Sequence, residues 1–237
     1  AIFPQKTREK WVEYFNSQDY DVILTTASLS LRLAMIAPRL KAATIGWQHN
    51  CYDGYLHVKP VVFWQQENLL QQYLPNLDRY IVLSDYDKRD YMEKLGIDCE
   101  VKINPRSFVS EKKCDVKSKR FLMATRFVYA KGLDLMMESF EEFCKEDSEW
   151  ELDIIGDGDL FDQIRADAKK RHLEKRVHFV GYTNEPEKYY LNSSVFLLPS
   201  RWEGWPMVIM EAFEFGLPVI AYHMGAMDLI IDDGKTG

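Results

Sequence analysis

The sequence predicts an α/β protein built as two units, each a parallel sheet with helices against it. Three observations carry that prediction. Short apolar runs of strand length alternate with helical stretches from about residue 6 to residue 109, the pattern of a parallel sheet with helical crossovers. Residues 104–119 (NPRSFVSEKKCDVKSK) then break the pattern with Pro, Ser and charge, which marks a linker. Beyond it the alternation restarts, so domains are expected at 1–109 and 110–237. Two such units would present a cleft at the C-terminal ends of their strands, the usual ligand site in these sheets.

In the first unit, residues 6–17 put Trp11, Tyr14 and Phe15 on one helical stripe. Residues 21–25 (DVILT) are a short buried strand, and 29–37 a helix that should end before Pro38. Residues 42–48 (AATIGWQ) form a second strand that delivers His49 at its C-terminal end. A helix is expected over 58–74, bearing Phe63, Trp64, Leu69, Leu70 and Tyr73. Residues 79–83 (RYIVL) are a third strand, Ser84 can cap a helix running to Leu95, and 101–103 close the unit.

In the second unit, strands are expected at 120–125, 151–155, 177–180 and 195–198. Helices are expected at about 131–146, 159–171 and 185–190. The stretch 198–221 (LPSRWEGWPMVIMEAFEFGLPVIA) reads as a strand end, a loop, a helix and another strand. Its helix can start at Pro206, whose missing N–H is no loss at a first helical position, and stop at Gly216. Val208, Ile209, Met210, Ala212 and Phe213 leave this helix little polar face, yet Glu211 sits in its middle. A buried carboxylate is costly unless something bonds it.

Glu203 lies eight residues before Glu211, in the loop that feeds the helix. Between them Gly204 lets backbone approach a ligand, and the amides of Met207 and Val208 are free to meet an anion. From Pro206 to Glu211 the axial rise is roughly 7–8 Å. Two carboxylates with an anion seat between them suit a ligand with hydroxyls at both ends and phosphate in the middle, as in a nucleotide sugar. The alternative pairs Glu211 with a buried Arg or Lys and leaves Glu203 a solvated loop residue.

Composition narrows the classes. Hydrophobic content of 46% with 28% charged residues excludes wholesale disorder. A net charge of −7 argues against a non-specific nucleic-acid binder. Lys+Arg against Asp+Glu count 13 to 13 over 1–109 and 17 to 24 over 110–237, so an anion bound by the second half must find a local basic site. Cys51, Cys99, Cys114 and Cys144 show no metal or disulfide spacing, which suits reduced thiols in the cytoplasm. No apolar run is long enough to span a bilayer.

Arg126 and Lys131 bracket RFVYAKG at a strand end, where a forked cation and a point cation can hold a diphosphate, with Gly132 keeping the turn open. They could equally be surface charges. His49 at its strand end can face a cleft or be structural. Asp157, Gly158 and Asp159 could hold a divalent ion against a diphosphate, but a tight turn with Asp159 as a helix cap is favoured, and no metal site is expected. The basic run 169–176 suits a solvated helix end. The cluster Trp47, Tyr52, Tyr55, Phe63 and Trp64 is read as core in preference to a sugar or lipid seat.

Taken together, these pieces resemble the retaining glycosyltransferases called group 1, or family four, which have the GT-B fold: two Rossmann-like domains facing a cleft. The resemblance is carried by RFVYAKG at 126–132, IIGDG at 154–158, HFVG at 178–181, and the Glu203-x7-Glu211 signature inside PSRWEGWPMVIMEAF. Gly225 and the following IIDDGKTG extend it, and His49 and VLSDYDK at 82–88 fit it more loosely. It implies transfer of a sugar from a nucleotide-diphosphate donor to a glycan or lipid-linked acceptor, with retained anomeric configuration, no cofactor and no essential metal. Arg126 and Lys131 would stabilise the departing diphosphate. Glu203, Gly204, Trp205, Pro206 and Met207 would hold donor sugar and phosphate, Glu211 the ribose, and His49 the donor sugar from the other domain. EGWPM is like a subset of bacterial polysaccharide enzymes, many of which use galactose-type donors. The expected location is the cytoplasm or the inner face of the membrane, with peripheral contact there.

Two departures stand out: the family's opening strands and Gly-rich loop do not precede Ala1, and its closing helices do not precede Gly237. The expectation is therefore a truncated chain with an incomplete first domain. A binding module without transfer activity is one rival. A nucleotide-sugar epimerase is another, and it would need additional acid–base carboxylates that the sequence does not point to.

Overall fold

A computed structural model describes residues 3–58, 63 and 65–237. The chain divides into two compact units, Ala1–Asn104 and Pro105–Gly237.

The first unit runs α1 (Gln5–Ser17), β1 (Val22–Thr26), α2 (Ser28–Ala34), β2 (Ala43–Trp47), α3 (Tyr52–Leu56), α4 (Glu67–Tyr73), β3 (Arg79–Val82), α5 (Asp85–Asp90) and β4 (Glu100–Val101). Its four strands lie in the order β1-β2-β3-β4, all parallel. The helix expected over 29–37 stops at Ala34, and Pro38 sits in a separate 3₁₀ turn (Ala37–Arg39), early enough that its missing amide costs nothing. The expected helix at 58–74 is shorter: its described part is α4, while residues 59–62 and Trp64 lie outside the described residues. A short helix, α3, forms instead inside the aromatic segment after His49.

Ser84 caps α5 by accepting from the Asp87 amide at 3.1 Å. Asp87 in turn accepts the Tyr52 amide at 2.7 Å, tying α3 to α5. Tyr52, Tyr55 and Phe63 are buried in this core, so their apolar area stabilises the unit and they offer no sugar platform. Helix α5 continues as a π-helical turn, Tyr91–Leu95, and ends at Gly96.

The second unit runs β5 (Arg120–Ala124), α6 (Leu133–Glu146), β6 (Glu151–Ile155), α7 (Phe161–Lys170), β7 (Val177–Gly181), α8 (Glu187–Leu191), β8 (Val195–Leu198), α9 (Met207–Glu214) and β9 (Val219–Ala221). Five parallel strands lie in the order β7-β6-β5-β8-β9. The period-two alternation of the strands feeds two cores. Phe121, Met123, Leu152, Ile154 and Leu197 pack with α6 and α7, whereas Leu122, Ile155, Phe196 and Leu198 pack with α8 and α9.

Much of the stretch read as a linker is fastened to the second unit. Arg106 and the Ser110 amide both bond the Glu214 carboxylate, at 3.0 and 3.3 Å. The Cys114 amide donates to the Phe215 carbonyl at 2.8 Å, and the Asp115 amide to the Leu191 carbonyl at 3.1 Å. These backbone amides, with Lys113 Nζ donating to the Glu214 carbonyl at 2.6 Å, satisfy the ends of α8 and α9.

Candidate functional site

The strand order of the second unit fixes where a ligand can sit. From β5 the chain crosses by α6 to β6 on one side, and from β8 it crosses by α9 to β9 on the other. Strands β5 and β8 are neighbours, so the loops leaving their C-terminal ends diverge to opposite faces of the sheet. A crevice between such loops is where open α/β sheets bind ligands. The two loops are residues 125–132 and 199–206, the two stretches that the sequence marks for an anion and a sugar.

The loops meet through Lys131 and Glu203. Lys131 Nζ lies 2.6 Å from Glu203 Oε1, and the two side chains are only 19% and 10% exposed. The buried Ser200 hydroxyl donates to the same carboxylate oxygen at 2.7 Å. Glu203 is therefore not a solvated loop residue but one whose carboxylate has two partners. Gly132 allows the approach: its φ is +64°, and a Cβ there would stand 1.9 Å from the Pro199 carbonyl oxygen.

A second fastening involves Arg201. Its guanidinium makes a forked pair with Asp134, at 2.8 and 2.6 Å, donates to the Tyr129 carbonyl at 2.9 Å and lies 4.0 Å from the centre of the Tyr129 ring. The Arg201 amide donates to the Ala130 carbonyl at 2.8 Å. The forked bond, above all, holds the Asp134 carboxyl below the usual carboxylate range, although burial opposes it.

Helix α9 starts one residue later than expected: Pro206 is its N-cap, with an extended ψ of 104°, and Met207 is the first helical residue. No side chain caps that end, so the amides of Met207 and Val208 are not taken by a cap. Gly204 and Pro206 are buried beside it, and the indole Nε1 of Trp205 is buried without a hydrogen-bond partner among the described residues. One turn further in, Glu211 accepts from the Tyr190 hydroxyl at 3.0 Å. Its carboxyl is raised above the ordinary range by burial, against which the Tyr190 bond acts more weakly. Among the described residues no cation pairs with Glu211, the alternative the sequence allows; the cation is at Glu203.

Two cavities flank these residues. One of about 970 Å³ is lined by Phe108, Asn184, Lys188, Tyr190, Glu211 and Phe215. The other, about 340 Å³, is lined by Thr125, Arg126, Lys131, Gly156, Tyr182 and Val208. Pro186 lines both. Arg126 is exposed, with no ion pair among the described residues. The volumes are of the size that small-ligand sites have.

The remaining expected positions are elsewhere. His49 belongs to the first unit, just past β2, its ring 5.1 Å from that of Trp47, and burial lowers its pKa. Asp157 accepts the Gly158 amide at 2.7 Å, the tight turn that was favoured. Asp159 is not the cap of α7, however; Leu160 occupies that position without a side-chain bond. In the basic run, Arg171 pairs with Asp167 and Glu141 and Arg176 bonds the Trp150 carbonyl, so only part of it is free in solvent. Among the described residues no three His, Cys, Asp or Glu side chains gather as metal ligands.

The family model described as glycosyl transferases group 1 matches residues 107–237, more than half of the chain and the whole of the crevice just described. The chain belongs to that family. An uncharacterized glycosyltransferase of Haemophilus influenzae is 30% identical over 208 residues, 85% of this chain and 56% of its own length. The amylovoran biosynthesis glycosyltransferase AmsD of Erwinia amylovora is 34% identical over 120 residues, 50% of this chain and 34% of its own length. The chain thus spans about half or less of these relatives. In fold, a TarM variant from S. aureus, crystallised with fondaparinux, α-GlcNAc-glycerol and UDP, superposes with a TM-score of 0.80. It is 21% identical, with 94% of this chain and 46% of that one covered, and the fold of this group 1 chain is of the GT-B type.

Sequence reasoning missed the parts of the candidate site that depend on distant neighbours. Ser200 could have been found, because Ser at three residues before Glu is a local hydrogen-bonding spacing. Arg201 could not: its carboxylate partner is 67 residues away and nothing near it in sequence indicates a forked pair. Tyr190, 21 residues before Glu211, is equally silent. No helix among the described residues is long and apolar enough to cross a membrane.

Proposed function

We propose that this chain carries the donor side of a retaining glycosyl transfer, moving a sugar from a nucleotide diphosphate to a hydroxyl of a glycan or lipid-linked acceptor. The observation that carries the reading is the meeting of Lys131 and Glu203 across the β5–β8 crevice, with Lys131 on the same cavity as Arg126 and Glu211 on a second cavity that shares Pro186 with it. Arg126 and Lys131 neutralise the diphosphate as it departs, an electrostatic task that dominates such reactions. The Gly204–Met207 backbone holds the phosphate, Glu203 the sugar hydroxyls, and Glu211 the ribose hydroxyls. The glycosidic C–O bond to phosphate breaks while the acceptor oxygen bonds to the same carbon, and the leaving phosphate oxygen takes the acceptor's proton. His49 is assigned to the donor sugar by family resemblance alone. Bacterial polysaccharide or envelope glycan is the product class, a reading supported by the amylovoran name of the Erwinia relative.

The test is a panel of nucleotide sugars offered to the intact protein, with and without EDTA, the products resolved by chromatography. Transfer or donor hydrolysis that survives EDTA is the expected outcome. Binding without turnover would replace this reading with the binding-module one. Conversion of one nucleotide sugar into its epimer would replace it with the epimerase, and loss of activity in EDTA would return attention to Asp157 and Asp159.

A further inference from the structure

The Lys131–Glu203 pair does more than join two loops. Lys131 is the part-buried cation of the smaller cavity, and its ammonium is already engaged by a carboxylate at 2.6 Å. That carboxylate is not free to swing aside. The Ser200 hydroxyl holds it at 2.7 Å, the Arg201–Asp134 fork anchors its loop, and the Arg201 amide is bonded to Ala130 beside Lys131. A diphosphate reaching Lys131 therefore meets a fixed negative charge beside it.

We propose that Glu203 makes the site discriminate between a sugar-capped and a bare nucleoside diphosphate, disfavouring the bare product by charge. This rests on the donor-site reading above. The terminal phosphate of a nucleoside diphosphate loses its second proton near a pKa of about 6, so at neutral pH the bare form carries about one negative charge more than the sugar-capped form. The additional charge sits on the β-phosphate, the end that the donor-site reading sets against Lys131 and Glu203. Like charges a few ångströms apart at a part-buried site repel appreciably, and with Lys131 shared the compensation is incomplete. A sugar covering that end removes the additional charge and offers hydroxyls to the carboxylate. The consequence is easier departure of the diphosphate product, a step that often limits turnover.

The experiment is calorimetry on the full chain with three matched pairs: UDP and UDP-glucose, GDP and GDP-mannose, ADP and ADP-glucose. For whichever pair binds, Glu203→Gln is expected to tighten the bare diphosphate about tenfold, while the nucleotide sugar holds or weakens. Glu203→Ala removes the same charge and carries the same expectation, which covers a failure of either variant to fold. Glu203→Asp keeps the charge and should leave the bare diphosphate within about threefold of wild type. If wild type binds a pair and the bare diphosphate binds no tighter in either charge-removing variant, the discrimination is wrong and the donor site stands. If wild type binds none of the six, the donor-site reading falls and this inference with it.

Discussion

Lys131 Nζ and Glu203 Oε1, 72 residues apart in sequence, stand 2.6 Å from each other where the loops after β5 and β8 diverge. The pair is mostly out of water, so removing one member leaves a charge without its partner. Lys131→Met should lower the unfolding free energy by roughly 1–3 kcal/mol. The double variant Lys131→Met, Glu203→Gln should recover part of that loss. Denaturant unfolding of the four proteins of this cycle measures the coupling, and strictly additive losses would mean that the pair carries no net interaction.

Arg126 lies 5 residues before Lys131 in sequence but in a different environment, exposed and without an ion pair among the described residues. Arg126→Ala should therefore change stability by no more than about 0.5 kcal/mol. Its effect should fall on ligand: roughly tenfold or weaker binding of the nucleoside diphosphate that the wild type prefers, a typical loss for a charge-assisted contact. Unchanged affinity by calorimetry would remove Arg126 from the site.

Glu211 separates binding from stability in another way. Burial raises its folded-state pKa above that of the unfolded chain, so the group favours folding most when protonated. Its contribution is complete below the ordinary glutamate range and is lost as pH rises through the raised value. At neutral pH the ionised carboxylate is a cost, and Glu211→Gln, which keeps a partner for the Tyr190 hydroxyl, should be at least as stable as wild type there. Nucleoside diphosphate affinity should nevertheless fall. A melting temperature that drops at pH 7 and not at pH 4 would reverse the assigned sign.

The fold was largely legible because each strand of the second unit is a short apolar run and each crossover a helix, signals that survive without tertiary context. The Glu203 and Glu211 positions were legible for the same reason: a carboxylate inside an apolar helix, and another beside a glycine, are local anomalies. What was not legible is pairing at a distance. The alternative reading of the sequence gives a cation to Glu211 and leaves Glu203 in solvent, whereas the strand order brings Lys131 to Glu203 and Tyr190 to Glu211. The stretch at 106–115 is of the same kind, since a charged residue such as Lys113 serves the last carbonyls of α9 as readily as it serves solvent.

Arg201 and Asp134 make that distant pairing testable. Arg201→Ala should destabilise by about 1 kcal/mol, the range for a well-formed forked pair that is still partly in water. Arg201→Lys keeps the charge but not the fork and should recover little of it. Because the fork holds the Asp134 carboxyl low, its stabilisation is present above the unfolded aspartate range and is lost as pH falls through the lowered value. The difference between wild type and Arg201→Ala should accordingly shrink in acid. A difference that stays constant from neutral pH into that window would assign the effect to packing against Tyr129.

Gly132 gives the strictest test of the loop geometry. Two costs act on Gly132→Ala: a left-handed φ of +64°, and a Cβ placed 1.9 Å from the Pro199 carbonyl oxygen, a backbone atom that cannot rotate away. Gly96 isolates the first cost, since its φ is +69° and nothing lies within 4 Å of an added Cβ. Gly96→Ala should therefore cost about 1 kcal/mol, the ordinary penalty of that conformation. Gly132→Ala should cost clearly more, because relieving the contact must push the loops after β5 and β8 apart. That displacement moves Lys131 and Glu203 out of the positions from which they would hold the donor, so nucleotide-sugar affinity should fall along with stability, whereas Gly96→Ala leaves it alone. Equal losses of stability in the two variants, measured by denaturant unfolding, would mean that the two loops do not approach as closely as the Lys131–Glu203 contact requires.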